Sequence, residues 1–398
     1  METLNEFAHL HTSWNYPTAI SVGPDSVKQL SNLCAQYGIK NPLLVTDPGI
    51  AALDTTKDIT ASLSGSDTGS LGLGIFSEVK SNPTGENVSA GAEVYNRGAH
   101  DGIIALGGGS ALDAGKAIAM VAGQTGSLFD YADEDGASPI EGAAVAPVIA
   151  IPTTAGTGSE VGRASVITDS VQQRKRILFH PRMLPVQVIL DPILTLGLPK
   201  HLTAATGMDA LSHNLEALCA NGFHPMAKGI ALEGIALVQE YLPRAVTDGN
   251  DIEARTNMLV ASSMGATAFQ RGLGAMHALS HPLGALYDAH HGLLNAIVMP
   301  YVLIANKPAI TQTLADAARA LGLPQHTFQG FLDWILALRA QLDIPHSLQD
   351  IGIDASDAKR VGEMAAADST AAGNPIAFKP GEYSALFERA VLGDISQR

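Results

Sequence analysis

Cysteine is almost missing from this chain. Cys34 and Cys219 are the only two, far apart and without metal-clip spacing. That excludes a disulfide framework as the basis of the fold, and free thiols in a cytoplasmic protein are the simplest expectation. Basic residues are scarce as well: 24 Lys and Arg stand against 39 Asp and Glu, a net charge of −15. The longest basic run is Arg174-Lys175-Arg176, so no nucleic-acid partner is expected. The opening METLNEFAHLHTSW has no basic region followed by an apolar stretch, so no leader peptide is expected. The apolar run around Ala143–Ile151 is too short for a bilayer and is broken by Pro147, so no membrane partner is expected either.

What is present is an ordinary globular composition, 46% apolar and 16% charged over 398 residues, enough for two domains with sizeable cores. In the first half, β-branched runs alternate with amphipathic stretches. Ala19–Val22, Pro42–Thr46, Gly72–Phe76, Gly102–Leu106, Val148–Ile151 and Val186–Leu190 read as strands. Helical patterns over Asp25–Tyr37, Glu86–Arg97 and Ala111–Ala122 separate them. Such alternation predicts a parallel sheet with helices on both faces, and the unbroken apolar strands fit burial on both sides. After Pro199 only helical patterns follow: Ala204–Ala220, Met226–Tyr241, Ile252–Gln270, Pro308–Leu321, Phe328–Leu342, Ala355–Ala367 and Pro380–Val391. The expected organisation is an α/β domain over 1–198 and an all-α domain over 199–398.

Two glycine-rich loops follow strands. GGGSALDAGK begins at Gly107, and the backbone there can turn tightly and approach a ligand. Ser110 and Asp113 open a helix whose free N–H groups suit a phosphate or pyrophosphate. The loop matches neither GxGxxG nor a Walker A pattern, and a plain strand-to-helix turn is the alternative. IPTTAGTGSE supplies Thr153, Thr154 and Thr157 at the end of another strand. Two such loops in one parallel sheet converge on one crevice. Asp47, in LLVTDPG, is placed to bond a ribose hydroxyl and repel a 2′-phosphate, which favours NAD over NADP. The same Asp-Pro-Gly is also an ordinary turn.

Histidines crowd one segment, GLGAMHALSHPLGALYDAHHGLLNA, with His277, His281, His290 and His291. Earlier, TGMDALSHNLEAL puts Asp209 and His213 four apart on one helical face, and His277 and His281 repeat that spacing. Pro282 and Gly284 are expected to break the chain into a loop before His290. One carboxylate and three imidazoles make a ligand set for a divalent transition metal, with a position open for a substrate oxygen. Spacing alone does not say which three of the five histidines ligate.

Together, GGGSALDAGK, PTTAGTGSE, GMDALSH and HALSHPLGALYDAHHG resemble the four signatures of the iron-containing (group III) alcohol dehydrogenase family, in its order and over essentially the whole chain. The resemblance implies an N-terminal dinucleotide-binding α/β domain and a helical, metal-binding catalytic domain, the fold shared with dehydroquinate synthase. It implies Asp209, His213, His277 and His291 as metal ligands and His281 as a proton relay beside the substrate. Asp47, Asn82, Gly107, Gly108, Gly109, Ser110, Asp113, Thr153, Thr154, Thr157 and Lys175 fall on its cofactor contacts. The implied activity is NAD-linked, Fe2+-dependent (Zn2+ as the alternative) oxidation of a small primary alcohol, diol or ω-hydroxy acid, or reduction of the aldehyde, in a homodimer. A zinc polyol dehydrogenase or lyase of the same fold and a non-catalytic nucleotide- or metal-binding module are the rivals. The chain departs from the family at Gly162-Arg163-Ala164, where a charge is unusual. Arg163 is expected either to favour an anionic substrate or to lie at the surface.

Overall fold

The computed structural model describes residues 13–64, 72–133 and 136–396. Most of the opening segment considered above for a leader lies outside them.

The first half forms β1 (Ala19–Val22), α1 (Leu30–Gln36), β2 (Pro42–Val45), α2 (Pro48–Ala51), α3 (Asp54–Ser64), β3 (Gly74–Phe76), α4 (Gly85–Arg97), β4 (Gly102–Gly107), α5 (Gly109–Val121), β5 (Val148–Pro152), β6 (Ala164–Asp169), β7 (Arg174–Phe179) and β8 (Gln187–Leu190). Six of these strands make one parallel sheet in the order β1-β8-β5-β4-β2-β3. Successive side chains of a strand point to opposite faces, and here each face has its own core. Ile103 and Ala105 of β4 join Leu43 and Val45 in a core under α4 and α5. Ile104 and Leu106 join Leu44, Ile149 and Ile151 in a second core under α1 and α3. That is why the strands are apolar without alternation.

The second half is helical: α6 (Lys200–Cys219), α7 (Pro225–Thr247), α8 (Ile252–Ala268), α9 (Ala275–Tyr287), α10 (His291–Ala320), α11 (Phe328–Gln341), α12 (Ala358–Ala367) and α13 (Pro380–Leu392). One continuous core built on Leu211, Leu215, Ile235, Leu279, Ile297 and Phe331 binds them.

Four expectations need correction. First, β6 and β7 pair as an antiparallel hairpin in a stretch that shows no strand signal. Its turn lacks an Asn-Gly or Asp-Gly pair. The Asp169 carboxylate accepts from the N–H groups of Val171 and Gln172, and Gln173 sits at φ 51°. Second, α3 goes unrecognised, because DTTKDITASLS has few apolar residues to set a period. Third, Pro282 and Gly284 break nothing; both lie inside α9. Fourth, the helix expected from Pro308 begins at His291 and carries Pro300 and Pro308 within it. Each proline removes one backbone hydrogen bond, which the buried apolar surface of these helices outweighs. By length and composition α10 could cross a membrane, but it packs against α6, α9 and α11, with most of its apolar window inside the protein.

Candidate active site

The two glycine loops meet. Gly107 pairs with Pro152 across β4 and β5, and the Thr153 N–H donates to the Gly107 carbonyl at 3.0 Å. Gly107 adopts φ 145°, a conformation side chains other than glycine rarely take. A Cβ built on Gly108 would come 3.4 Å from Thr154 Oγ1, and one on Gly109 would come 2.5 Å from Thr157. The half-buried N-terminus of α5 lies between these loops and opens on the cleft through Gly109 and Ser110, as a bound phosphate would need.

Asp47 caps α2: its Oδ1 accepts from the N–H groups of Gly49 and Ile50. The turn and the ribose reading are compatible, because Oδ2 remains beside Gly107. Asp113 serves differently from a simple cofactor contact. Its Oδ1 accepts from Ser159 Oγ, its Oδ2 from the Val166 N–H at 3.0 Å, and the buried Lys116 ammonium lies 3.3 Å away. Asp113 thus ties α5 to the second loop and to β6. The Ser110 hydroxyl donates to the Ser81 carbonyl. Asn82 donates to Asp288 at 2.6 Å and accepts from Lys175 at 3.3 Å, joining the sheet half to the end of α9. Burial lowers the Lys175 pKa against the pull of Asp113, Asp209, Asp288 and Asp368.

On the helical side, Asp209, His213 and His277 present one donor atom each, all within 4.8 Å of one another and all buried. His291 stands beside them, with Nε2 3.8 Å from Asp209 Oδ1 and its ring 5.3 Å from that of His277. His290 is turned away from the cluster. Its Nδ1 accepts from the Leu293 N–H and caps α10.

A second ring of partners holds these imidazoles. His213 Nδ1 lies 3.2 Å from the Gly156 carbonyl, His277 Nδ1 2.7 Å from Glu216, and His291 Nδ1 3.4 Å from Ser280 Oγ. With Nδ1 engaged, it is Nε2 of each ring that is turned to the centre, where the Asn295 amide also reaches those of His277 and His291. Asn295 donates to Asp209 Oδ1 at 2.8 Å, its Nδ2 also lies 3.2 Å from Nε2 of His277 and of His291, and its buried Oδ1 has no partner. Burial pushes His213 down to about 4. Burial, joined by Lys175 and the neighbouring histidines, holds His291 well below its ordinary value. For His277, burial lowers the pKa, but the Glu216 carboxylate outweighs it and the net direction is up. Burial keeps His213 and His291 neutral and ready for a divalent metal, and His277 would release its proton on binding one; with the Asp209 carboxylate the donor set fits such an ion.

His281 lies at the edge of this cluster, its ring stacked 5.5 Å from that of His291. Its Nδ1 is 2.8 Å from Asp368 Oδ2. Asp368 also accepts from the Thr370 N–H and hydroxyl. Burial would raise the Asp368 pKa, but His281 and Thr370 bring it below the ordinary value.

Sequence reasoning does not find Glu216, Asn295 or Asp368. Glu216 follows His213 by three positions and Asn295 follows His291 by four, so helical spacing could have found both. Nothing near Asp368 in sequence marks it.

A cleft of about 560 Å3 joins the two halves, lined by Asn82, Ser110 and Lys175 from one and by His213, His277 and His281 from the other. Ligands of open α/β sheets bind outside the C-terminal ends of the strands, where this cleft lies.

A 4-hydroxybutyrate dehydrogenase from Cupriavidus necator is 38% identical over 94% of this chain and 99% of its own length. The crystal structure of a 1,3-propanediol oxidoreductase superposes with a TM-score of 0.88 at 34% identity, covering 95% of this chain and all of that one (100%). A sulfoacetaldehyde reductase from Bifidobacterium kashiwanohense, solved with NAD+, superposes with a TM-score of 0.87 at 26% identity over 97% of this chain and 100% of that one. Residues 17–192 match the model of the iron-containing alcohol dehydrogenase and residues 203–391 that of the Fe-containing family's C-terminal part. The chain belongs to the iron-containing alcohol dehydrogenase family and is an NAD-linked oxidoreductase of alcohols.

Proposed function

We propose that Asp209, His213, His277 and His291 hold one divalent metal, iron in the working enzyme, and that His281 with Asp368 moves the proton when a small primary alcohol, diol or ω-hydroxy acid is oxidised. The observation that carries this reading is the convergence of four donors from α6, α9 and α10 with Nδ1 of each imidazole already engaged. When bound, the metal would supply Lewis-acid activation and NAD a hydride acceptor.

The chain's own residues supply the rest. Gly156, Glu216 and Ser280 orient the imidazoles. Asn295 holds Asp209 in place. His281, with Nδ1 bound to an ionised Asp368, takes the alcohol proton at Nε2 and passes it to the open cleft; the carboxylate stabilises the resulting imidazolium. The loops Gly107–Ser110 and Thr153–Thr157 and the α5 N-terminus receive the pyrophosphate, and Asp47 Oδ2 disfavours a 2′-phosphate.

Intrinsic affinity favours Zn2+ over Fe2+ at nitrogen and oxygen donors, so the test of iron sets the two ions side by side. Metal-stripped protein should be reconstituted anaerobically with Fe2+ or Zn2+ and assayed for NADH formation on neutral and acidic alcohols. Restoration by metal, lost in His277→Ala, is the expected result. NAD binding without turnover under any metal would leave a non-catalytic nucleotide-binding module as the reading.

A further inference from the structure

Arg163 stands where β6 begins, half-buried on the wall of the active-site cleft. It is not a surface residue that happens to carry charge. Its guanidinium lies over the Phe179 ring, 5.4 Å from the centroid. Among the described residues no carboxylate pairs with it, in a chain whose net charge is −15. Stacking uses the face of a guanidinium and leaves its in-plane N–H donors free, in a fork that matches a carboxylate.

The hairpin sets the geometry. Ala164 pairs with Phe179, Val166 with Ile177 and Thr168 with Lys175. Ala164 and Val166 of β6 and Lys175, Ile177 and Phe179 of β7 all line the cleft. Lys175 marks the end near the metal ligands, since its ammonium lies against Gly284 of α9, the helix that carries His277 and His281. Phe179 is four residues further along the strand, about 13 Å away. The wall between is apolar. The strip therefore offers, in order, the reacting end, a short greasy section, and a cation with free donors. Of the ordinary charged groups on the cleft wall, Arg163, Lys116 and Lys175 are cationic and Asp113 alone is anionic, and Asp113 is already joined to Lys116.

We propose that Arg163 is the substrate-carboxylate receptor of this enzyme, and that the preferred substrates are short ω-hydroxy acids and their semialdehydes rather than neutral alcohols. The inference rests on the alcohol dehydrogenase reading above and narrows it. The reaction is the same two-electron exchange: the ω-carbon loses a hydride to NAD and its hydroxyl loses a proton by way of His281, giving the semialdehyde.

The test uses metal-loaded enzyme with NAD and two probes of matched length, 4-hydroxybutyrate and 1-butanol. Arg163→Met is expected to lower kcat/KM for 4-hydroxybutyrate by about 10- to 100-fold, chiefly through KM, with 1-butanol changed less than threefold. Arg163→Lys keeps the charge, loses the fork, and is expected to fall between. Calorimetric binding of butanoate to the wild-type enzyme, weakened by the same factor in Arg163→Met, gives a readout independent of turnover. An unchanged ratio of the two substrates, with butanoate binding unchanged, would overturn the proposal while leaving the dehydrogenase intact. Failure of the wild type on both substrates would strike the broader reading instead, and butanoate binding would still decide the role of Arg163.

Discussion

The Nδ1 of His281 lies 2.8 Å from Oδ2 of Asp368, two residues 87 positions apart that meet only because the segment after α12 folds back over α9. A histidine so held keeps one tautomer, and its partner stays ionised. Replacing Asp368 by Asn leaves a hydrogen-bonding partner but removes the charge that stabilises a protonated His281. We expect kcat to fall about 10- to 100-fold and the acid limb of its pH profile to move, with metal content unchanged. Metal analysis alongside the profile separates this from loss of the metal. A profile identical to that of the wild type would remove His281 from proton transfer.

Much of this molecule is legible in its sequence for simple reasons. Leu43, Leu44, Ile103 and Ile104 sit in strands buried on both faces, so hydrophobicity alone marks them. Asp209 and His213 sit four apart on one helix and His277 and His281 four apart on another, so periodicity puts each pair on one face. The hairpin from Ala164 to Phe179 escapes because the same residues serve two ends. Arg174-Lys175-Arg176 is the longest basic run of the chain and gives no strand pattern, yet it opens β7, where Lys175 faces the cleft and Arg176 lies 3.6 Å from Asp169. Asp368 escapes because its partner is made by tertiary folding, and no local pattern records that.

Glu216 bears on the candidate metal site through His277. Its carboxylate accepts from the N–H groups of Gly274 and Met276 and lies 2.7 Å from His277 Nδ1, so it anchors the first turn of α9 as well as the imidazole. Glu216→Gln is expected to weaken metal affinity about 10- to 100-fold, read by competition with a chelator. It should also bring the His277 pKa down, since Glu216, ahead of Asp209 and Asp368, raises it against burial. Equal metal retention in variant and wild type would show that the orientation comes from α9 alone.

His213 gives a pH dependence of defined sign in the metal-stripped protein. In the fold it takes up its proton only near pH 4, because burial disfavours the charge; unfolded, it does so near its ordinary value of 6.5. The unfolded chain therefore binds more protons between these values, and stability falls as pH drops through the window. Between pH 7 and 5 His213 alone should cost about 2 kcal/mol. His277 works in the opposite direction: its raised pKa adds stability that is present below 6.5 and lost as pH rises through the folded value. Urea unfolding at pH 7 and pH 5 should show a smaller loss for His213→Gln than for the wild type. Equal losses would mean that His213 is already open to water in the fold.

The glycine loop can be tested at a position where the protein itself has room. A methyl on Gly108 would meet Thr154 at ordinary contact distance, 3.4 and 3.5 Å, whereas on Gly109 it would come 2.5 Å from Thr157. Gly108 has φ −73°, which alanine adopts without strain, so Gly108→Ala should cost about 1 kcal/mol or less, through its place as helix cap. The methyl would occupy the approach to the α5 N-terminus, where a pyrophosphate must come against the backbone. NADH affinity, followed by its fluorescence, should drop tenfold or more while the urea midpoint hardly moves. Gly109→Ala should lower both, since it forces Thr157 aside. If Gly108→Ala binds NADH as the wild type does, the dinucleotide does not use this loop, and the cleft's cofactor end must be sought on the Thr153–Thr157 side.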